Sequence, residues 1–208
     1  MKKTNVDFTR RIIATGKPGP NLCRDVPNGC TDGKDTVFVT YTMSILNKSD
    51  VFAESYIMKS TDGGQTFGAP NKLTVPTHHD NGVRFSFRDC AYYYNKKHDK
   101  YLAVGCIMDY DENDENIRKN GIILATPAFT VLNPDKSDYE GGIKELPFPY
   151  DAVSVFPNAQ PLEDEDGNVL LSFYIITEEN HHAASVSVLY SFDGEKFEIV
   201  KAGTPIDG

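Results

Sequence analysis

The sequence predicts an all-β protein, a β-propeller of four-stranded antiparallel blades with about three blades present. Three observations lead there. Apolar segments between turn signals are short and rich in Val, Ile, Tyr, Phe and Thr, with no long run at helical spacing. Segments ending at Ser60, Thr126 and Ser191 recur about every 65 residues. Each has a second strand upstream, at Val37-Phe38-Val39, Leu102-Ala103-Val104 and Leu170-Leu171-Ser172. A β-sandwich is the runner-up, but it is not expected to repeat one four-strand unit at a fixed period.

The elements follow in chain order. Candidate strands are Thr36 to Met43, Ala53 to Ser60, Tyr101 to Met108, Gly121 to Thr126, Val169 to Ile176 and Ser185 to Ser191. The first strand of each unit begins at Arg24-Asp25, at Arg88-Asp89, and near Pro157-Asn158, which echoes Pro27-Asn28. Polar turns join first to second strands at Thr31-Asp32-Gly33, Asn95 to Lys100 and Asp164 to Gly167. The whole reads as a single partial propeller domain over 1–208, with blade units at about 22–70, 86–132 and 153–200. Closed propellers need roughly 4 to 8 blades, so three imply part of a larger, six-bladed ring. The alternative is self-association through open blade edges. Thr9 to Ala14 fits an outer strand that would complete the last blade.

Composition narrows the function. The 208 residues are 39% hydrophobic, 25% charged and 11% aromatic, an ordinary globular balance. A net charge of -9 opposes non-specific nucleic-acid binding, which needs clustered Lys and Arg. No apolar run approaches the roughly 20 residues of a membrane span, and Met1 to Ala14 has no apolar signal-peptide region. The compartment is left open between cytoplasm and a fragment of an exported protein. Cys23, Cys30, Cys90 and Cys106 form no CxxC pair and read as reduced thiols.

The turn Ser60-Thr61-Asp62-Gly63-Gly64-Gln65-Thr66-Phe67 matches the pattern Ser/Thr-x-Asp-x-Gly-x-Thr-Trp/Phe. Its Asp62 carboxylate can accept backbone N–H groups, Gly64 can supply positive φ, and Phe67 can pack beneath the hairpin. Ser191-Phe192-Asp193-Gly194-Glu195-Lys196-Phe197 is a shortened copy lacking the Thr, and Thr126-Pro127-Ala128-Phe129 has lost the pattern. On these motifs the chain resembles the sialidase, or neuraminidase-like, β-propellers with Asp-box (bacterial neuraminidase) repeats, over about residues 9 to 200.

The resemblance implies an exo-sialidase-type glycoside hydrolase acting on glycans, incomplete in this chain. It implies that Arg24, in Arg24-Asp25-Val26-Pro27, binds the substrate carboxylate, with Arg11 competing. It also implies an acid/base Asp50 in the loop Ser44 to Phe52, and Asp89 near the start of the second blade. The family's nucleophilic Tyr and remaining arginines belong to later blades, and sialidases are an exception among glycosidases in using Tyr. A non-catalytic carbohydrate-binding or protein-interaction propeller is the alternative. Another is a glycosidase of a different propeller family, since Phe87-Arg88-Asp89 resembles the Arg-Asp element of five-bladed sugar hydrolases and puts Asp89 in place of Asp50.

First strands line a propeller channel, so Arg24, Arg88 and Asp89 are candidate ligand-binding residues, with a salt-bridge network between blades as the structural alternative. His78-His79-Asp80 and His181-His182 lack partners at metal-ligand spacing and read as solvated loops. No cofactor is expected. Asp109, Asp111 and Asp114 resemble half a calcium loop by charge but lack its Gly and closing Glu.

Overall fold

The structure, a computed structural model, describes residues 22–45, 52–73, 77–179 and 183–207, and every regular element among them is a β-strand. Sheet 1 holds β1 (Leu22–Thr31), β2 (Val37–Ile45), β3 (Glu54–Ser60) and β4 (Asn71–Lys72), in that spatial order. Sheet 2 begins with β5 (Arg84–Asn95) and β6 (Lys100–Tyr110). The small hairpin β7 (Arg118–Lys119) and β8 (Ile122–Ile123) follows, before β9 (Ala125–Asn133) and β10 (Asp138–Glu145) complete the sheet. Sheet 3 comprises β11 (Ser154–Pro157), β12 (Leu162–Glu163), β13 (Val169–Ile176), β14 (Ala184–Phe192), β15 (Phe197–Ala202) and β16 (Ile206–Asp207). Its path runs β11, β13, β14, β15; β12 pairs with β13, β16 pairs with β14, and a single parallel bridge Ser154↔Ala125 ties it to sheet 2.

The three sheets stack face to face, and the burial pattern of each strand records its neighbours. In β6, Leu102, Ala103, Val104 and Cys106 are all fully buried, because both faces of sheet 2 are covered. Ala103 joins Phe38, Ile57, Phe87 and Tyr92 against sheet 1, whereas Leu102 and Val104 join Val155, Phe173 and Val188 against sheet 3. Tyr92 and Tyr93 accordingly enter different clusters, as alternating strand positions must. Phe38 is completely enclosed and meets Tyr92 and Tyr101 edge-on at 5.6 and 5.3 Å. Burying a ring of this size contributes about 1.5–3 kcal/mol.

The middle unit differs from the sequence reading. Thr126-Pro127-Ala128-Phe129 is no turn but the interior of β9, where Thr126 pairs with Ile107 and Phe129 with Val104. The β7–β8 hairpin occupies the loop between second and third strands and displaces the third strand toward the C-terminus. The turn into β10 falls at 134–137, where the Asn133 carboxamide oxygen accepts the N–H groups of Asp135 and Lys136. Third strands therefore end at Ser60, Asn133 and Phe192, and the repeat is uneven. The outer strand of sheet 2 extends to Glu145, beyond residue 132 where the unit was drawn.

Candidate functional site

The first strands of sheets 1 and 2 share a β-bulge. In β1, Asp25 pairs with Thr42 and Asn28 with Thr40, so Val26 and Pro27 oppose Tyr41 alone. In β5, Arg88 pairs with Cys106 and Ala91 with Val104, so Asp89 and Cys90 oppose Gly105 alone. The leading bulge residues, Val26 and Asp89, have φ of 46° and 53°. Non-glycine residues at positive φ cost of order 1–3 kcal/mol and persist where surrounding structure over-determines them. Bulges also re-aim side chains at sheet ends and beside sites.

Superposing the bulges corrects the sequence register. Val26 corresponds to Asp89, so Asp25 corresponds to Arg88 and Arg24 to Phe87. A one-residue slip moves a side chain to the opposite face. Arg24 lies on the face of sheet 1 turned away from sheet 2, its guanidinium 5.5 Å from the centre of the Tyr41 ring. Arg88 lies on the face of sheet 2 that packs on sheet 3, and is 5% exposed. The two arginines are not equivalents around one axis.

Arg88 belongs to a buried polar group. Its Nη1 donates to the Tyr110 hydroxyl at 3.3 Å, and that hydroxyl is 2.9 Å from Ser86 Oγ. The Arg88 carbonyl receives the thiols of Cys90 and Cys106 at 3.6 and 3.8 Å. Burial pushes both thiols well above their ordinary range. Asp89 is half-buried and, with Val26, Thr40, Thr42 and Tyr92, lines a gap of about 10 Å³ between sheets 1 and 2, close to the volume of one water.

Among the clefts at the end of the stack that carries the second-to-third strand loops and the sheet-to-sheet connections, two present charged side chains between neighbouring sheets. One, of about 400 Å³, lies between sheets 1 and 2, with Leu73 and Phe85 as apolar floor and Glu54, Lys72 and Thr77 at its polar edge. Lys72 Nζ donates to Glu54 Oε1 at 2.6 Å across that edge. The other, of about 530 Å³, lies between sheets 2 and 3 and presents Asp109, Asp151, Glu178 and Lys119. His79 Nε2 is 2.8 Å from Asp109 Oδ1, and its ring lies 4.5 Å from Phe85. This pair was not legible as such: His79 reads as a solvated loop residue, and its partner is 30 positions away. Arg84 covers the Phe52 ring at 3.6 Å and pairs with Asp114.

The remaining sequence-derived candidates fall as follows. Asp50, Arg11, the stretch Thr9 to Ala14, and His181-His182 lie outside the described residues. Asp109, Asp111 and Asp114 each have a different partner. Asp109 meets His79 and Asp114 meets Arg84, while Asp111 Oδ1 accepts the N–H groups of Asn113 and Glu115. Among the described residues no three His, Cys, Asp or Glu side chains gather as a metal site, and all four cysteines are free.

At the opposite end of the stack, Asp62 Oδ1 accepts the N–H groups of Gln65 and Thr66 at 2.9 and 2.8 Å, and Thr66 Oγ1 donates to Oδ2 at 2.6 Å. Ser60 Oγ donates to Asp62 and accepts the Gly64 N–H, with Gly64 at φ 83° and Phe67 half-buried. The second copy is tighter. Asp193 Oδ1 accepts the N–H groups of Glu195 and Lys196, Gly194 has φ 104°, and Ser191 pairs with Glu198. Phe197 is buried 4.8 Å from the Phe129 ring. These turns bind their own hairpins and neighbouring sheets: His98 Nε2 lies 2.9 Å from the Phe192 carbonyl, and Lys100 Nζ donates to the Gly194 carbonyl at 2.7 Å.

No family model matches the chain, and no curated protein does. Solved structures do. A xylan β-1,4-xylosidase from Bacillus halodurans C-125 aligns with a TM-score of 0.56 at 14% identity, over 88% of this chain and 31% of its own. A β-1,2-mannobiose phosphorylase from Listeria innocua, in complex with β-1,2-mannobiose, aligns at 0.54 and 17% identity, over 88% and 45%. A protein of unknown function from Dyadobacter fermentans aligns at 0.66 and 10% identity, over 91% and 56%. The likeness supports an all-β, propeller-type fold of the kind glycosidases use. The chain spans between about a third and just over half of the length of these structures.

Proposed function

We propose that this chain is part of a glycan-processing propeller, of the glycoside hydrolase or phosphorylase class, in which Asp89, facing a gap the size of one water within these residues, is the carboxylate presented to the sugar in the complete ring. The observation that carries the reading is the bulge that holds Asp89 at φ 53° on the first strand of sheet 2, directly after the buried Arg88. Glycosyl transfer passes through an oxocarbenium-like transition state, which a fixed carboxylate stabilises. Its direction of presentation is set by the backbone rather than by a flexible loop, and Arg88 supplies a permanent positive charge behind it. The likeness to a xylosidase and a mannobiose phosphorylase supports a neutral sugar as ligand.

The exo-sialidase reading is the finer alternative, with Arg24 holding a sugar carboxylate and Asp50 as general acid. The position of Arg24 over Tyr41, away from sheet 2, favours the neutral-sugar reading over it. The test uses a panel of nitrophenyl glycosides, a sialoside included, with and without inorganic phosphate, alongside calorimetric titration of the corresponding oligosaccharides. We expect turnover or binding of a neutral glycan, with turnover abolished and melting temperature unchanged in Asp89→Asn. Turnover of the sialoside alone, lost in Asp50→Asn, would transfer the chemistry to Asp50. Binding without turnover, insensitive to Asp89→Asn, would leave a carbohydrate-binding module.

A further inference from the structure

The cleft between sheets 1 and 2 adjoins the gap beside Asp89, and Ser55 and Phe87 line both. Ser55 pairs with Thr42 and lies two positions before Ile57, which packs against sheet 2, so its hydroxyl faces into the cleft from sheet 1. Phe87 faces it from sheet 2, two residues before Asp89. Both walls are strands of this chain, so a sheet added beyond sheet 1 or sheet 3 lies outside the cleft. Its volume of about 400 Å³ falls within the roughly 300–1,000 Å³ of small-molecule sites. Ala53, Leu73, Phe85 and Phe87 give it apolar walls, none more than 8% exposed. Ser55 and Thr77 add hydroxyls.

Among the described residues at its margin, Lys72 pairs with Glu54, Arg84 over Phe52 pairs with Asp114, and His79 over Phe85 pairs with Asp109. A charged ligand must break one of these pairs to gain a counter-ion and otherwise loses hydration without compensation. A neutral ring with apolar C–H faces and hydroxyls matches both the walls and the polar edge. We propose that this cleft is the subsite for a neutral sugar ring, which lies between sheets 1 and 2 with Ser55 and Phe87 at the end nearest Asp89. The inference rests on the role proposed for Asp89 and adds where the sugar sits and which side chains select it. The gap beyond Ser55 and Phe87, about 10 Å³, is the size of one water and too small for a ring, so the ring stops at those two side chains.

The test is amide chemical-shift mapping of the 208-residue chain titrated with β-1,4-xylobiose, with β-1,2-mannobiose and, as a charged control, with sialyl-lactose. The expected result is saturable shifts at Ala53, Ser55, Leu73, Thr77 and Phe85 to Phe87 with a neutral disaccharide, and none there with the sialoside. Ser55→Leu, which puts bulk into the cleft, weakens that binding by about tenfold or more. Thr126→Leu, in the cleft between sheets 2 and 3, leaves it unchanged. Neutral-sugar shifts confined to other residues, equal shifts with the sialoside, or an affinity unaltered in a folded Ser55→Leu overturn the subsite and leave the role of Asp89 standing. An absence of shifts with every saccharide also overturns the subsite, and the role of Asp89 falls with it only if the glycoside panel shows no turnover. Should Ser55→Leu fail to fold, the shift map of the unaltered chain decides alone.

Discussion

Gly105 faces the carbonyl of Arg88 across the β5 bulge so closely that a Cβ on Gly105 would lie 2.5 Å from that oxygen and 2.6 Å from Cys90 Sγ. The bulge pushes one extra residue of β5 toward β6, and only a residue without a side chain leaves it room. Gly105→Ala must displace backbone in the covered middle sheet. It is expected to destabilise by about 1–3 kcal/mol, read as a lower urea midpoint at unchanged slope. If Asp89 serves the sugar, the same substitution also reduces turnover more than it reduces sugar binding.

Acid should weaken the Ser60–Phe67 turn. The Thr66 hydroxyl and N–H, with Ser60, hold the Asp62 carboxyl well below the usual carboxylate range. A group whose folded-state pKa is depressed stabilises fully above its unfolded value, near 4, and that contribution is lost as pH falls through the folded value. Asp62→Ala is therefore less stable than the parent at neutral pH, and the gap closes as pH drops below about 4. Chemical unfolding at a series of pH values measures it; a gap independent of pH would contradict the account. Asp32, Asp164 and Asp193, also depressed by hydrogen bonds in their turns, should add to the acid sensitivity.

Between sheets 1 and 2, Tyr92 and Tyr139 share a buried hydrogen bond of 2.9 Å. Burial raises both phenols well above their ordinary range, so both are neutral through the physiological range. Tyr92→Phe strands the Tyr139 hydroxyl at a cost of about 1–3 kcal/mol. Removing both hydroxyls should recover part of that loss, and a double-mutant cycle gives the coupling. Strict additivity of the two single changes would show that the hydroxyls act independently.

Alkylation should sort the cysteines. Cys90 and Cys106 are buried with raised thiols, and burial pushes the half-buried Cys30 up to about 11. The reactive species is the thiolate. Iodoacetamide at pH 8 should leave Cys90 and Cys106 unmodified until the chain unfolds, with intact-mass analysis counting the labels.

Much of the fold was legible because its signals are local. Val169–Ile176 is one strand in both sequence and structure, since alternating burial repeats at the strand period. The turn at Ser60–Phe67 could be read because Asp62 bonds to residues only three and four positions on. The middle unit was misread because Thr126 and Phe129 look like a strand end followed by a degraded turn, while their partners Ile107 and Val104 are distant in sequence. The candidate site was legible in residue type but not in arrangement. Arg24-Asp25 and Arg88-Asp89 read as equivalents, yet the bulges place Arg24 and Arg88 on non-equivalent faces.

By itself, the sequence determined the all-β class, the strand-turn-strand grammar and the turn chemistry, because each depends on side-chain alternation and on hydrogen bonds spanning a few residues. Tertiary structure decided which arginine is buried, that His79 meets Asp109, and that Gly105 makes room for a bulge. Strand side chains alternate with a period of two, so one inserted residue reverses every assignment of face beyond it. Only the pairing of strands distant in sequence shows where that residue is.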